Sequence, residues 1–276
     1  MRCSRCRREA VFFQRYSGLA LCAGHLRDDV EARARKEIRA EGGIRPGDRI
    51  AVVLSGSPES LTLAHFLCRT FAGRHDLSLL AVEGGRGGSS RRPAAETAAH
   101  SPGMEWLPVR EGGGAGSPAG DAPGDQEPAG GCTLSPAGAR EVLADTAWRA
   151  GATVLAYGEC LDDLAGQVLA RVLRGEAPEG NRQPALRTLT PFRRIPGEEV
   201  RLYGQGIGVA RGEPPCRAAG DGLEDLAASL LSDHASRHPS APHALLRLWD
   251  SLAVPEEEPG PGDRAARGGM GVGGNG

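Results

Sequence analysis

The sequence predicts an α/β fold, a doubly wound and mostly parallel sheet preceded by a small N-terminal zinc module. Three observations carry this prediction. Apolar runs without polar alternation, RIAVVL at 49–54, LSLLAVE at 77–83 and TVLAY at 153–157, have the look of strands covered on both faces. Segments with helical apolar spacing alternate with these runs, which is βαβ logic. Ahead of them stand two short ligand pairs, Cys3 with Cys6 and Cys22 with His25.

The elements follow in order. Residues 1–27 hold the ligand pairs and few apolar side chains. Residues 25–43 read as a charged helix ending at Gly42 and Gly43. Pro46 and Gly47 mark a turn before the first strand. A polar loop, 55–60, leads to a helix over 59–73, where Leu61, Leu63, Ala64, Leu67 and Phe71 share one face. After the second strand, residues 84–131 are dominated by Gly, Pro, Ala, Ser and charge. A helix over 136–150 has Ser135 at its N-cap and Pro136 at its first position, where a missing N–H costs nothing. The third strand is followed by a helix over 161–174. Residues 197–207, 222–235 and 241–253 also read as helices.

Composition bounds what this chain builds. Of its 276 residues 39 % are apolar, enough for one main domain and one small module. Residues 84–131 and 256–276 have too few large apolar groups to offset ordering entropy, so both are expected to be disordered. The expected division is a zinc module over 1–27, a nucleotide-binding domain over 28–255 with 84–131 as a flexible insertion, and a tail over 256–276. The formal net charge of −2 gives no strong overall pull on nucleic acid. In helix 25–43, Arg35, Lys36 and Arg39 could touch phosphates. Glu31, Glu37 and Glu41 interleave with them, and a solvated face explains the pattern equally well. No apolar run reaches the roughly 18 residues of a membrane span, and the N-terminus lacks a leader pattern. A cytoplasmic protein is expected, in which seven cysteines serve metal binding or catalysis rather than disulfides.

The metal ligands are spaced C-x2-C, then fifteen residues, then C-x2-H. Each pair brings two ligands to one point, and two pairs complete a tetrahedron for Zn2+. Four protein ligands leave no position for water, so the role is structural. The metal would supply folding energy that so small a module cannot gain by burial.

Residues 49–54 run directly into Ser55, Gly56, Ser57, Pro58, Glu59 and Ser60 at the start of a helix. This is where an α/β sheet binds phosphate, because the first amides of the helix point outward and the dipole favours an anion. The same residues also make a good helix start, with Ser57 as cap, Pro58 first and Glu59 in the first turn. Both readings stand on these residues alone.

With these features in hand the sequence resembles the PP-loop ATP pyrophosphatase superfamily, a Rossmann-like fold whose loop reads S-G-G-x-D-S. Within it the order of features resembles the tRNA 2-thiouridine synthetase group of tRNA sulfurtransferases. The resemblance rests on the zinc module with RYSGLALC (15–22) and on RIAVVLSGSPES (49–60). It also rests on Cys132 before a helix, YGECLDDLAGQ (157–167), TPFRRIPGEEVRLYG (190–204) and Cys216. It implies ATP with Mg2+ at Leu54, Ser55, Gly56, Ser57, Glu59, Ser60, Gly158, Asp162 and Asp163. It implies adenylation of a tRNA uridine C2 carbonyl and sulfur delivery through Cys132 and Cys216. The implied partners are tRNA and a sulfur donor protein or sulfide. Related enzymes are often dimers, which allows a homodimer here.

The chain departs from the group's pattern at several positions. Ser57 replaces the second loop glycine, at a cost of about 1–2 kcal/mol if that position requires positive φ. Glu59 replaces the loop aspartate, and Glu159 replaces the histidine of a Gly-His-x-x-Asp-Asp element. Ser135 stands where the group has a second cysteine for a 4Fe-4S cluster. Serine is a poor iron ligand, which argues against a standard three-cysteine cluster with Cys132 and Cys216. Cys68 and Cys160 lie in or beside apolar segments, as small core residues do. Asp162 and Asp163 fit contact with magnesium and also complement the dipole of the helix they open. The departures leave two functional expectations: an ATP-dependent tRNA sulfurtransferase-like enzyme, or a paralogue that keeps fold and zinc and serves as a tRNA-binding or partner-binding scaffold.

Overall fold

The computed structural model describes residues 1–55, 57–71, 78–83, 104–107, 136–178, 186–209 and 222–252. Gly56, Cys132, Ser135, Cys216, most of the 84–131 insertion and the tail lie outside the described residues.

The N-terminal module is a small hairpin. Strand β1 (Phe12–Gln14) pairs antiparallel with β2 (Leu19–Leu21), with Phe12 opposite Leu21. Gly18 takes the positive φ of 73° that the turn between them requires. Helix α1 (Ala23–Ala40) follows at once, capped by Cys22. It starts two residues before the expected position, so His25 lies within its first turn rather than at its first residue. Leu26, Val30, Ala34 and Ile38 recur at four-residue spacing and form its buried stripe. Gly42 and Gly43, both at positive φ, end it.

The main sheet has five strands, all parallel, in the order β5-β4-β3-β6-β7. The central strand β3 (Arg49–Leu54) is flanked by β4 (Ser78–Glu83) and β6 (Val154–Ala156). Strands β5 (Met104–Leu107) and β7 (Arg187–Leu189) form the edges. Strand β5 corrects the sequence expectation, because it falls inside the stretch read as a flexible insertion. Met104, Trp106 and Leu107 are an apolar island around Glu105 whose signal is lost when composition is averaged over the whole stretch.

Two cores lie on the two faces of β3. Ile50, Val52 and Leu54 face helices α1, α2 (Pro58–Phe71) and α5 (Gly197–Gly206). Ala51 and Val53 face α3 (Pro136–Arg149) through Leu143, Ala144 and Ala147. This alternation is what a parallel strand covered on both sides requires. Helix α4 (Leu161–Leu173) packs its Leu161 and Val168 against Leu246 of α7 (Ala241–Leu252), and α6 (Gly222–Arg237) closes beside it.

Strand order then fixes the switch point of the sheet. From β3 the chain moves outward to β4 and β5, returns through α3, and restarts on the other side at β6. The order therefore reverses between β3 and β6. In open α/β sheets a ligand crevice is expected at such a switch point, here outside the carboxyl ends of β3 and β6, at Ser55 and Tyr157.

Candidate functional site

The loop after β3 is built by serines. Ser57 Oγ accepts the Ser60 N–H at 3.1 Å, which makes it the cap of α2, and Ser60 Oγ donates back to the Ser57 carbonyl at 2.9 Å. The Ser55 and Ser57 hydroxyls lie 3.1 Å apart. No described non-glycine residue has positive φ, so the strain considered for serine at position 57 is not incurred. Leu54 is buried at the end of β3 and supports the loop from below.

Gly158 lies against this loop. A Cβ built at 158 would stand 2.8 Å from Ser60 Cα and 2.9 Å from Ser60 N. Only glycine permits that approach, so the turn after β6 and the first turn of α2 close on each other. The two acidic residues opening α4 have separate tasks. Asp163 accepts the Cys160 N–H at 3.1 Å and completes a capping box with the Cys160 side chain. Asp162 reaches across to accept the Gly197 N–H at 2.7 Å, tying the start of α4 to the start of α5.

These contacts gather four carboxylates at one end of the sheet: Glu59, Glu159, Asp162 and Asp163. Burial, joined by the charges of Glu159, Glu59 and Asp162, outweighs the Cys160 amide and pushes Asp163 up to about 6. Burial also drives the Cys160 thiol well above its ordinary value, which suits a core cysteine rather than a nucleophile. Two arginines answer the carboxylates. Arg201 Nη1 donates to Glu59 Oε1 at 2.8 Å. Arg140 donates to Glu159, which also takes Gln167 Nε2 at 3.1 Å, and the Arg140 guanidinium lies 5.0 Å from the Tyr157 ring centre. Beyond Glu159 a cavity of about 280 Å³ is lined by Gln167, Arg171, Arg193 and Trp249.

The expected site residues Leu54, Ser55, Ser57, Glu59, Ser60, Gly158, Asp162 and Asp163 thus come together from two segments, 54–60 and 158–163. Arg201 and Arg140 complete the group, and sequence reasoning did not single them out. Arg201 is four residues beyond Gly197 and so stands over the start of α5. That spacing is readable, but its partner is 142 residues away.

The metal tetrad is a second site, at the start of α1. The ligand atoms of Cys3, Cys6, Cys22 and His25 all lie within 4.8 Å of one another. Cys6 and Cys22 sulfurs are 3.8 Å apart, and His25 Nδ1 is 3.3 Å from Cys3 Sγ and 3.5 Å from Cys22 Sγ. A tetrahedron with metal–sulfur bonds of about 2.3 Å has sulfur–sulfur edges of about 3.8 Å, so the residues fit a metal. Burial opposes ionisation of Cys3, yet the Cys22, Arg5 and Cys6 amides and the His25 ring hold its thiol at about 6. That is the thiolate a metal requires.

A parallel sheet whose central strand enters a serine-lined loop at its switch point, behind a four-ligand metal module, has the Rossmann-like α/β architecture expected of the PP-loop superfamily that the sequence resembles. Comparison with known proteins narrows the class. Residues 2–27 match the N-terminal LIM domain of 2-thiouridine synthetase TtuA. The tRNA 2-thiolation protein NcsA of Haloferax volcanii is 26 % identical, over 92 % of this chain and 87 % of its own. The tRNA-5-methyluridine(54) 2-sulfurtransferase of Thermus thermophilus is 30 % identical, over 74 % of this chain and 65 % of its own. Cytoplasmic tRNA 2-thiolation protein 1 of Bos taurus is 29 % identical, over 96 % and 82 %. In fold, the U34-tRNA thiolase NcsA from Methanococcus maripaludis, solved with its [4Fe-4S] cluster, superposes with a TM-score of 0.76. That match covers 91 % of this chain and 88 % of the other at 19 % identity. The chain resembles the tRNA 2-thiouridine synthetase group of PP-loop proteins along nearly its whole length. No described helix is long and apolar enough to cross a membrane.

Proposed function

We propose that this protein is an ATP-dependent tRNA sulfurtransferase that activates a uridine C2 carbonyl for 2-thiolation. The observation that carries the reading is the junction of the β3 loop with Gly158 at the switch point, in a chain whose thiolation relatives align over most of its length. A carbonyl oxygen is a poor leaving group until it is adenylated. The uridine oxygen attacks the α-phosphate of ATP, and pyrophosphate leaves. Sulfur then attacks C2, and AMP leaves with the former carbonyl oxygen. The start of α2 and the serine hydroxyls face the leaving pyrophosphate, and magnesium bound with the nucleotide would offset its charge. A donor protein passes sulfane sulfur as a persulfide to one of Cys132 and Cys216, the two positions that the resemblance assigns to it. After its outer sulfur has attacked C2, the other thiolate breaks the S–S bond, releasing the thiouridine and leaving a disulfide that an external thiol reduces. Free sulfide attacks C2 directly and needs no relay. With Ser135 in place of a third thiolate, no step is routed through a cluster.

The tetrad takes zinc in this reading and acts structurally, because four protein ligands leave the ion no open position. tRNA is the macromolecular partner, and the cytoplasm is the compartment in which ATP and tRNA meet.

A second reading rests on the ion pairs Glu59–Arg201 and Glu159–Arg140, which tie up two altered positions in the crevice. In it the protein is a catalytically silent scaffold for tRNA or a partner. One experiment separates the two. Purified protein is incubated with ATP, magnesium, a sulfide source and total tRNA, and AMP, pyrophosphate and thiolated uridine are measured. tRNA-dependent release of AMP with 2-thiouridine supports the enzyme. No turnover, together with retained tRNA binding, supports the scaffold.

A further inference from the structure

The crevice presents a charge problem. Glu59, Glu159, Asp162 and Asp163 crowd its floor, and burial, joined by the charges of the other three, makes Asp163 take up a proton more readily than a free aspartate. A triphosphate entering there meets like charge. Among the described residues, the guanidiniums hydrogen-bonded to these carboxylates are Arg140 on Glu159 and Arg201 on Glu59. They are not equivalent. Arg140 lies over the Tyr157 ring, on the side of Glu159 that lines the cavity with Arg171 and Trp249. Arg201 lies at the phosphate loop itself. Its side chain is 49 % exposed, whereas that of its partner Glu59 is 11 % exposed.

Its path is also specific. From α5 the side chain folds back over Gly197, where an added Cβ would stand 3.0 Å from Arg201 Nη1 and 3.4 Å from Asp162 Oδ2. The guanidinium therefore lies where the first turns of α2, α4 and α5 meet. A half-exposed ion pair is a weak bond that screening erodes, so its partner is exchangeable. A phosphate offers a guanidinium two parallel charge-assisted hydrogen bonds and is the stronger acceptor.

Building on the ATP-binding reading above, we propose that Arg201 is the phosphate-binding cation of the crevice, held by Glu59 when the site is empty and passed from Glu59 to a nucleotide phosphate when ATP enters. Glu59 then competes with the nucleotide for one guanidinium. The longer glutamate at this loop position is what reaches it. The exchange forms and breaks only hydrogen bonds, with no proton or electron moved.

The test is equilibrium binding of magnesium ATP, inorganic pyrophosphate and adenosine to the full chain and to Arg201→Ala, Arg201→Lys and Glu59→Gln. Thermal unfolding of each variant establishes that it is folded. Arg201→Ala should weaken ATP and pyrophosphate about tenfold and leave adenosine unmoved. Arg201→Lys should fall between, because it keeps charge and loses the fork. Glu59→Gln should tighten pyrophosphate, about threefold, because it removes the competitor. Opposite signs for the two partners are the signature. If both substitutions weaken phosphate binding alike, or Arg201→Ala changes nothing while ATP still binds, the exchange is wrong and the ATP-binding reading survives. If no variant binds ATP or pyrophosphate, Glu59→Gln included, the ATP-binding reading itself fails and takes the exchange with it.

Discussion

Tyr16 donates its phenolic hydrogen to Glu199 Oε1 across 2.7 Å, and by that contact the metal module is fixed to helix α5. Glu199 is fully buried and also takes Gln14 Nε2 at 2.8 Å and Arg33 Nη1 at 2.9 Å. Hairpin, α1 and α5 thus share one carboxylate. Arg33 additionally bonds the Arg194 carbonyl and the Tyr16 hydroxyl, so the network has no loose end. Glu199→Ala should cost about 1–3 kcal/mol, because it removes the buried acceptor that Gln14, Tyr16 and Arg33 share, while Arg33 keeps Asp29 and the Arg194 carbonyl. Chemical denaturation of the variant and of wild type checks this. A loss below about 1 kcal/mol would mean the network relaxes around the gap.

Gly158→Ala places a methyl group 2.8 Å from backbone. Backbone cannot rotate away as a side-chain end can. The turn and the start of α2 must separate, at about 1–3 kcal/mol of stability. If this junction forms the phosphate site, ATP affinity should fall more than stability alone explains. Isothermal titration at a temperature where the variant remains folded gives the answer.

If nucleotide binds in the crevice as proposed, Asp163 should make that binding pH-dependent. Its pKa of about 6 lies above the ordinary aspartate value near 3.9, so the folded state favours the neutral form. The sign follows: below pH 6 the carboxyl is protonated and the crevice loses one negative charge, and above pH 6 the charge is present. ATP affinity should rise as pH falls through 6. Stability referred to Asp163 should fall as pH rises between about 4 and 6, because the unfolded chain releases the proton first. Asp163→Asn keeps the acceptor for the Cys160 amide and should flatten both profiles. A profile unchanged by this substitution would assign the titration to another group.

Removing the metal should unfold the module and loosen more than the module. One metal per chain is expected, and Cys22→Ser should reduce that to near zero by elemental analysis. Leu21 and Leu26, neighbours of the tetrad, belong to the main core with Val30 and Leu189. Chelation should therefore lower the unfolding temperature of the whole protein and not only release a local signal. A chelated protein that melts unchanged would show that the hairpin holds without metal.

Acid should test a separate corner of the fold. Asp48 joins the turn before β3 to β6 and β7, accepting the Arg45 amide at 2.7 Å, Arg187 Nη2 at 2.6 Å and Thr153 Oγ1 at 3.0 Å. Burial opposes its charge, but these donors win and hold it below the usual carboxylate value. Its contribution is complete above about pH 4 and disappears as pH falls toward the lowered value. Asp48→Asn should reduce stability at pH 7 and narrow its difference from wild type at pH 3, as read by urea midpoints.

The sequence revealed what local patterns encode. The strands β3, β4 and β6 are apolar runs, the ligand pairs carry their own spacing, and the serine loop follows β3 directly. Three-residue strands do not announce themselves. Arg187, Thr188 and Leu189 form β7 only because β6 and the α1 terminus present them with partners. The hairpin of the module is equally short. In the crevice, Glu59 and Gly158 were visible as positions, while the contacts that define them are tertiary. Arg201 and Arg140 reach their partners only after the chain has folded, and no spacing encodes that. Ser57 is instructive in the other direction: feared strain was absent, because the loop uses it as a cap at ordinary φ.

Helix α1 begins at the metal and ends where Glu41 accepts the Thr190 amide beyond β7. Its eighteen residues make one rod of about 27 Å, with a ligand at its head and the sheet edge at its foot. Ligand and scaffold are therefore one covalent beam and not two hinged bodies. A chain shortened to begin at residue 28 would not be the main domain freed of an accessory. It would be a beheaded helix, stripped of its cap and of Leu26, with the Glu199 carboxylate opened to water where Gln14 and Tyr16 had sealed it.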